Sequence, residues 1–185
     1  DPDAAIQNYQ WALKFKPDYA EPYNKLGLAL VDKKQFDAAI KCYRNSLKLK
    51  PGYAETYFNI GSALVEKGDY DSAIKNLQKA LQIMPNHHNA CNNMGAALRA
   101  KGELRAAIKR YDSAIKINPK NVNARYNKSL LLLNLESFKK GWPAYEYRWK
   151  KSKLDSLPTL SSRPKWHLGD QGRVLVWGEQ GIGDE

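Results

Sequence analysis

Three asparagines, Asn59, Asn93 and Asn127, recur at intervals of 34 residues. A carboxamide offers one acceptor oxygen and two N–H donors, the complement of a peptide bond. A row of them can therefore hold the backbone of an extended polypeptide whatever its side chains. The same side chains can instead bridge neighbouring parts of their own chain, because a buried polar group needs a partner in any case. Other chemistry is thinner. His87, His88 and Cys91 set a thiol three residues after an imidazole, but no third or fourth ligand is near in sequence, so neither a metal nor another cofactor is expected. Cys42 and Cys91 are the only cysteines, too few and too far apart for a disulfide framework, which fits a reducing, cytoplasmic setting.

The same period defines the helices that carry these asparagines. Pro17, Pro51, Pro85 and Pro119 recur every 34 residues, as do Gly27, Gly61 and Gly95, and Ala5, Ala39, Ala73 and Ala107. Residues 20–53, 54–87 and 88–121 align without gaps, and each reads as two helices joined by a turn. A glycine inside a helix costs about 1 kcal/mol against alanine, so it must be offset by close helix approach. The alanines opposite are expected to supply the other half of that approach. Larger apolar residues at i, i+3, i+4 and i+7, such as Leu26, Leu30, Ile40, Tyr43 and Leu47, form the core stripe. Each proline ends a second helix, and Gly68 and Gly102 supply the turns within hairpins.

The pattern Tyr23-Leu26-Gly27-Leu30-Ala39-Tyr43-Pro51, repeated around Gly61 and Gly95, resembles the tetratricopeptide repeat (TPR) family. The resemblance implies an all-α superhelical solenoid whose first helices line a concave groove. It places Lys25, Asn59, Asn93 and Asn127 in that groove, with Asn24, Phe58, Asn92 and Tyr126 beside them and Asn89 and Asn123 one turn earlier. Such a ladder is similar to the TPR region of O-linked N-acetylglucosamine transferases, which implies backbone binding of a protein or peptide partner. TPR clamps for chaperone tails carry lysine and arginine at several of these slots. Asn24, Asn93 and Leu28 stand there instead, against that specificity. Residues 1–19 match only a second helix, so the chain is expected to start mid-repeat as part of a longer array. The open ends of an interrupted solenoid also suggest a self-assembling scaffold.

A fourth repeat, residues 122–153, degrades: Ser129 replaces the glycine, Gly141 the alanine, and Pro143 falls inside the second helix. That helix is expected to start late or kink near Gly141 to Pro143 and then continue through Trp149. Residues 154–185 read as a Ser/Pro/Leu linker, a candidate β-strand over Arg173-Val174-Leu175-Val176-Trp177, and a glycine-rich loop ending at Gly183-Asp184. Together with Gly141-Trp142 and Pro164-Lys165-Trp166, this segment resembles bacterial proteins joining a TPR array to a heptosyltransferase-like domain of GT-B type. The resemblance makes Asp184 a candidate catalytic base and suggests an acceptor-recruiting role. The donor-binding half is absent, and no activity is expected of these residues alone. Trp142, Trp149 and Trp166, which could stack a sugar, are expected to pack between the last hairpin and the segment after it.

The formal charge is +11, densest over residues 139–173, where nine basic side chains face three acidic ones. Nucleic acid is not the partner expected from this, since such a surface needs cations converging on one face with stacking aromatics. Lys41, Lys75 and Lys109 also repeat, on second helices, and are expected to be solvated. No apolar run is long enough to span a bilayer and the start lacks signal-peptide features, so no membrane partner is expected.

Overall fold

A computed structural model describes residues 1–135 and 137–145; the expected linker, strand, glycine-rich loop and Asp184 lie outside the described residues. The described chain forms α1 (Pro2–Phe15), α2 (Ala20–Asp32), α3 (Phe36–Leu49), α4 (Ala54–Lys67), α5 (Tyr70–Ile83), α6 (His88–Ala100), α7 (Leu104–Ile117), α8 (Val122–Asn134) and α9 (Phe138–Tyr145). Each of α1, α3, α5 and α7 ends two residues before its proline, as the steric restriction on the preceding residue requires. Asp69, His87 and Asn121 cap α5, α6 and α8 by accepting from the backbone N–H three residues on. Within hairpins, Gly68 and Gly102 adopt φ of 83° and 80°, and Lys34 takes the same place at 57°.

Helices pair in sequence, α2 with α3, α4 with α5, α6 with α7 and α8 with α9, and each hairpin stacks on the next. The first helices also touch one another, α2 with α4, α4 with α6 and α6 with α8, whereas second helices do not meet to that extent. Elements on the inside of a curve converge, so the first helices form the concave layer. A continuous core of Leu26, Leu30, Ile40, Tyr43, Ile60 and Leu64 passes into Leu77, Met94, Leu98 and Tyr111 between the layers.

The helical glycines seat large side chains, not the facing alanines. A β-carbon on Gly27 would lie 2.3 Å from Tyr43 Cε1, one on Gly61 2.6 Å from Leu77 Cγ, and one on Gly95 2.6 Å from Tyr111 Cε1. The glycine is a socket for the side chain four residues after the alanine, and the alanines, fully buried, fill the remaining space.

The fourth hairpin corrects the expected late start. α9 begins at Phe138, in register with Phe36, Tyr70 and Leu104, because the turn keeps its closing bond: Ser137 N–H donates to the Leu132 carbonyl at 2.9 Å, as Gln35 does to Leu30 and Glu103 to Leu98. Pro143 sits within α9, at the loss of one backbone hydrogen bond. Gly141 now provides a close approach, its absent β-carbon falling 2.6 Å from Leu133 Cδ2. The expected continuation to Trp149 lies outside the described residues.

The edge bearing the turns within hairpins is laced by ion pairs. Lys33 meets Asp3, Lys67 meets Asp37, and Lys101 meets Asp71 at 2.6 Å, each lysine reaching the first turn of the preceding second helix. Lys101 draws the Asp71 carboxyl below its ordinary pKa, and Asp71 and Glu103 raise that of Lys101.

Candidate peptide groove on the first helices

The carboxamides predicted for the groove stand on α2, α4, α6 and α8, and the structure connects them to one another. Asn24 is buried, and its Oδ1 accepts from Asn59 Nδ2 at 3.0 Å and from Thr56 Oγ1 at 3.3 Å. Further along, a chain of donors runs from hairpin four back to hairpin two. Asn127 Nδ2 donates to Asn92 Oδ1 at 3.1 Å, Asn92 Nδ2 to Asn93 Oδ1 at 3.1 Å, and Asn93 Nδ2 to Ser62 Oγ at 2.8 Å. Ser62 Oγ then donates to the Phe58 carbonyl at 3.0 Å.

The break between these two networks has a plain cause. Asn24 and Asn92 supply acceptors for the asparagine one repeat later, but Phe58 holds the equivalent position and has none, so Asn93 turns to Ser62. The sequence pattern does not single out Ser62 or Thr56. Their signal is weak, because Leu28 and Ala96 occupy the serine position in adjacent repeats.

Burial divides the predicted residues. Asn24, Asn59 and Asn92 lie between first helices and clasp adjacent repeats; Asn93, Asn127, Phe58 and Tyr126 are half-exposed; Lys25, Asn89 and Asn123 are exposed. The bridging role and the groove role are thus distributed over different members of one row. Each bond within the chain uses one of the two N–H groups of Asn93 and of Asn127, so both amides keep an N–H to offer a ligand, and Asn93 Oδ1, which accepts from Asn92, keeps a second lone pair.

Two histidines complete the joints between repeats. His87 Nδ1 accepts from Ala90 N–H, its Nε2 lies 3.3 Å from Glu55 Oε2, and its ring packs on Phe58 at 4.5 Å between centroids. His88 Nδ1 lies 2.9 Å from Asn121 Nδ2. At the far end, Tyr126 stacks on Tyr145 at 5.9 Å, and Trp142 meets Tyr145 edge-on at 5.7 Å. Cys91 is buried in the core and Cys42 is half-buried, and burial raises both thiol pKa values. Among the described residues no three histidine, cysteine or acidic side chains converge as metal ligands, and no helix is long and apolar enough to cross a membrane.

Models of the tetratricopeptide repeat match residues 18–86, 52–120 and 92–153. No curated protein sequence matches the chain. Among solved structures, MamA is 26% identical with a TM-score of 0.73, the match covering 84% of this chain and 91% of that one. YrrB, described as a TPR protein with an unusual peptide-binding site, is 20% identical with a TM-score of 0.65 over 82% of this chain and 78% of that one. The first TPR domain of Spaghetti, solved with an HSP90 peptide, is 22% identical with a TM-score of 0.61 over 63% and 93%.

Proposed function

The chain belongs to the tetratricopeptide repeat family, and we propose that it is a protein-interaction module that holds an extended polypeptide along the first helices. One observation carries this reading: the concave layer presents a row of carboxamides, the exposed Asn89 and Asn123 and the half-buried Asn93 and Asn127, the latter two already oriented by bonds within the chain. Pre-oriented amides lose little freedom on binding, and backbone recognition tolerates varied sequences. The half-exposed Phe58 and Tyr126 rings add apolar contacts, and Lys25 adds a cation at the first hairpin. Peptide binding by YrrB and by Spaghetti supports the reading.

The test is binding to a peptide array by the native chain and by variants Asn89→Ala, Asn93→Ala, Asn123→Ala and Asn127→Ala, singly and together. Loss of about tenfold or more in the combined variant is expected from two or more hydrogen bonds at roughly 1 kcal/mol each. Undiminished binding removes the proposal.

The segment Trp177 to Asp184 favours a second reading, in which the groove recruits an acceptor protein for a glycosyltransferase-like domain. A sugar-nucleotide site encoded after Glu185 would support it, and a reading frame without one would remove it.

A further inference from the structure

The two edges of the solenoid differ in chemistry. At the edge with the turns inside hairpins, lysines are neutralised by Asp3, Asp37 and Asp71. The opposite edge carries the ends of the second helices and the turns between hairpins, held side by side by contacts such as His88 with Asn118 and Asn121. There the 34-residue register aligns Phe15, Leu49, Ile83 and Ile117. Phe15 is 72% exposed, Leu49 41% and Ile83 46%, with Met84 beside it at 47%. Trp11 packs on Phe15 at 4.7 Å and is itself exposed, as is Tyr19. Six of the nine large hydrophobic side chains exposed among the described residues therefore gather on this edge.

Lysines bracket the apolar row. Lys14 and Lys16 flank Phe15, Lys48 and Lys50 flank Leu49, and Lys116 and Lys120 follow at the last turn. All six are exposed, and none makes an ion pair among the described residues. Lys16 lies over the Tyr19 ring at 5.1 Å and Lys50 over Tyr53 at 4.7 Å. The carboxylates nearby, Asp18, Glu21 and Glu55, are exposed; Glu21 accepts from the Tyr19 hydroxyl and Glu55 faces His87.

We propose that this edge docks the solenoid peripherally onto an anionic lipid surface, with Phe15, Leu49, Ile83 and Met84 entering the interface and the flanking lysines meeting lipid headgroups. Exposed apolar side chains flanked by cations, with tryptophan and tyrosine alongside, are the chemistry of an interfacial anchor. Lysine stems extend along apolar surface while their ammonium groups reach the headgroups. Nucleic acid fits less well, since aliphatic side chains give no stacking platform for bases. The repeat sets the apolar residues in a line along one edge, which suits a plane. The sequence leads to no membrane partner; this proposal departs from that expectation, for surface contact alone, because the structure gathers the apolar row and its lysines on one edge. It is independent of what the groove holds.

The experiment is co-sedimentation of the full 185-residue chain with phosphatidylcholine vesicles, with and without phosphatidylserine. The expected result is binding that requires phosphatidylserine and weakens with salt. Neutralising Lys14, Lys16, Lys48 and Lys50 to Gln should weaken it by about fivefold per lysine. Phe15→Ser with Leu49→Ser and Ile83→Ser, all surface changes, should weaken it by about tenfold or more. Lys41→Gln with Lys75→Gln and Lys109→Gln on the outer layer should leave it nearly unchanged, with circular dichroism checking that every variant keeps its helices. Failure of the native chain to bind phosphatidylserine vesicles would overturn the proposal. So would equal loss in the outer-layer variant, no loss in the serine variant, or displacement of the chain from vesicles by an equal charge of single-stranded oligonucleotide.

Discussion

Asn24 and Asn59 stand 35 residues apart in the chain, yet the Asn59 amide donates to the buried Asn24 carbonyl oxygen at 3.0 Å. This bond joins the first helices of successive hairpins across the layer that faces the groove. Asn24→Ala leaves Asn59 Nδ2 and Thr56 Oγ1 without their acceptor, and should cost about 1–3 kcal/mol. Urea unfolding of Asn24→Ala beside the exposed Asn123→Ala, expected within about 0.5 kcal/mol of the native chain, checks this.

The Gly27 socket makes a second expectation. Gly27→Ala places its β-carbon inside the Tyr43 ring envelope. It should destabilise by about 1–3 kcal/mol despite the better helix propensity of alanine. Gly52, with open space around the position of a β-carbon, should tolerate alanine. In Gly27→Ala with Tyr43→Ala the clash disappears, so thermal denaturation of both singles and the double should give a double smaller in cost than the sum.

Asp71 carries the pH dependence of the ion-paired edge. Its folded pKa is lowered, chiefly by the hydrogen bond from Lys101, so the stabilisation is present above the unfolded carboxylate pKa and is lost as pH falls through the folded value. An NMR titration should show Asp71 releasing its proton at lower pH than an ordinary aspartate. Lys101→Met should return it toward the ordinary value.

Burial makes the thiols slow. Because desolvation raises the Cys91 pKa and the side chain is almost wholly covered, iodoacetamide at neutral pH should label Cys91 far more slowly in the native chain than in urea. Time-resolved mass spectrometry reads both cysteines, with the half-buried Cys42 reacting before Cys91.

The repeat architecture is legible in the sequence because proline, glycine and alanine recur in one register, and each has a backbone or steric reason to do so. Less legible is what the glycines face. Spacing alone does not distinguish a small residue opposite another from a small residue beneath a ring, and Tyr43 and Leu77 fill the space. The asparagine row is legible as a row, but Asn59 and Asn93 differ in burial because their neighbours differ, Asn24 for one and Ser62 for the other. Lys33, Lys67 and Lys101 recur every 34 residues, as do Asp3, Asp37 and Asp71, but the period does not say that each lysine pairs with the aspartate 30 residues before it, which follows from the stacking of hairpins. The start of α9 is hidden for a different reason: Pro143 suggests a break, while the backbone bond from Ser137 to Leu132, which fixes the start, leaves no mark on residue type.

The most direct test of the groove is an NMR map of the full chain with a peptide selected from the array. Perturbations of backbone and side-chain amides should concentrate on α4, α6 and α8, with Asn93 and Asn127 among the largest. Shifts confined to second helices such as α5, or to the turns between hairpins, would contradict binding along the first helices.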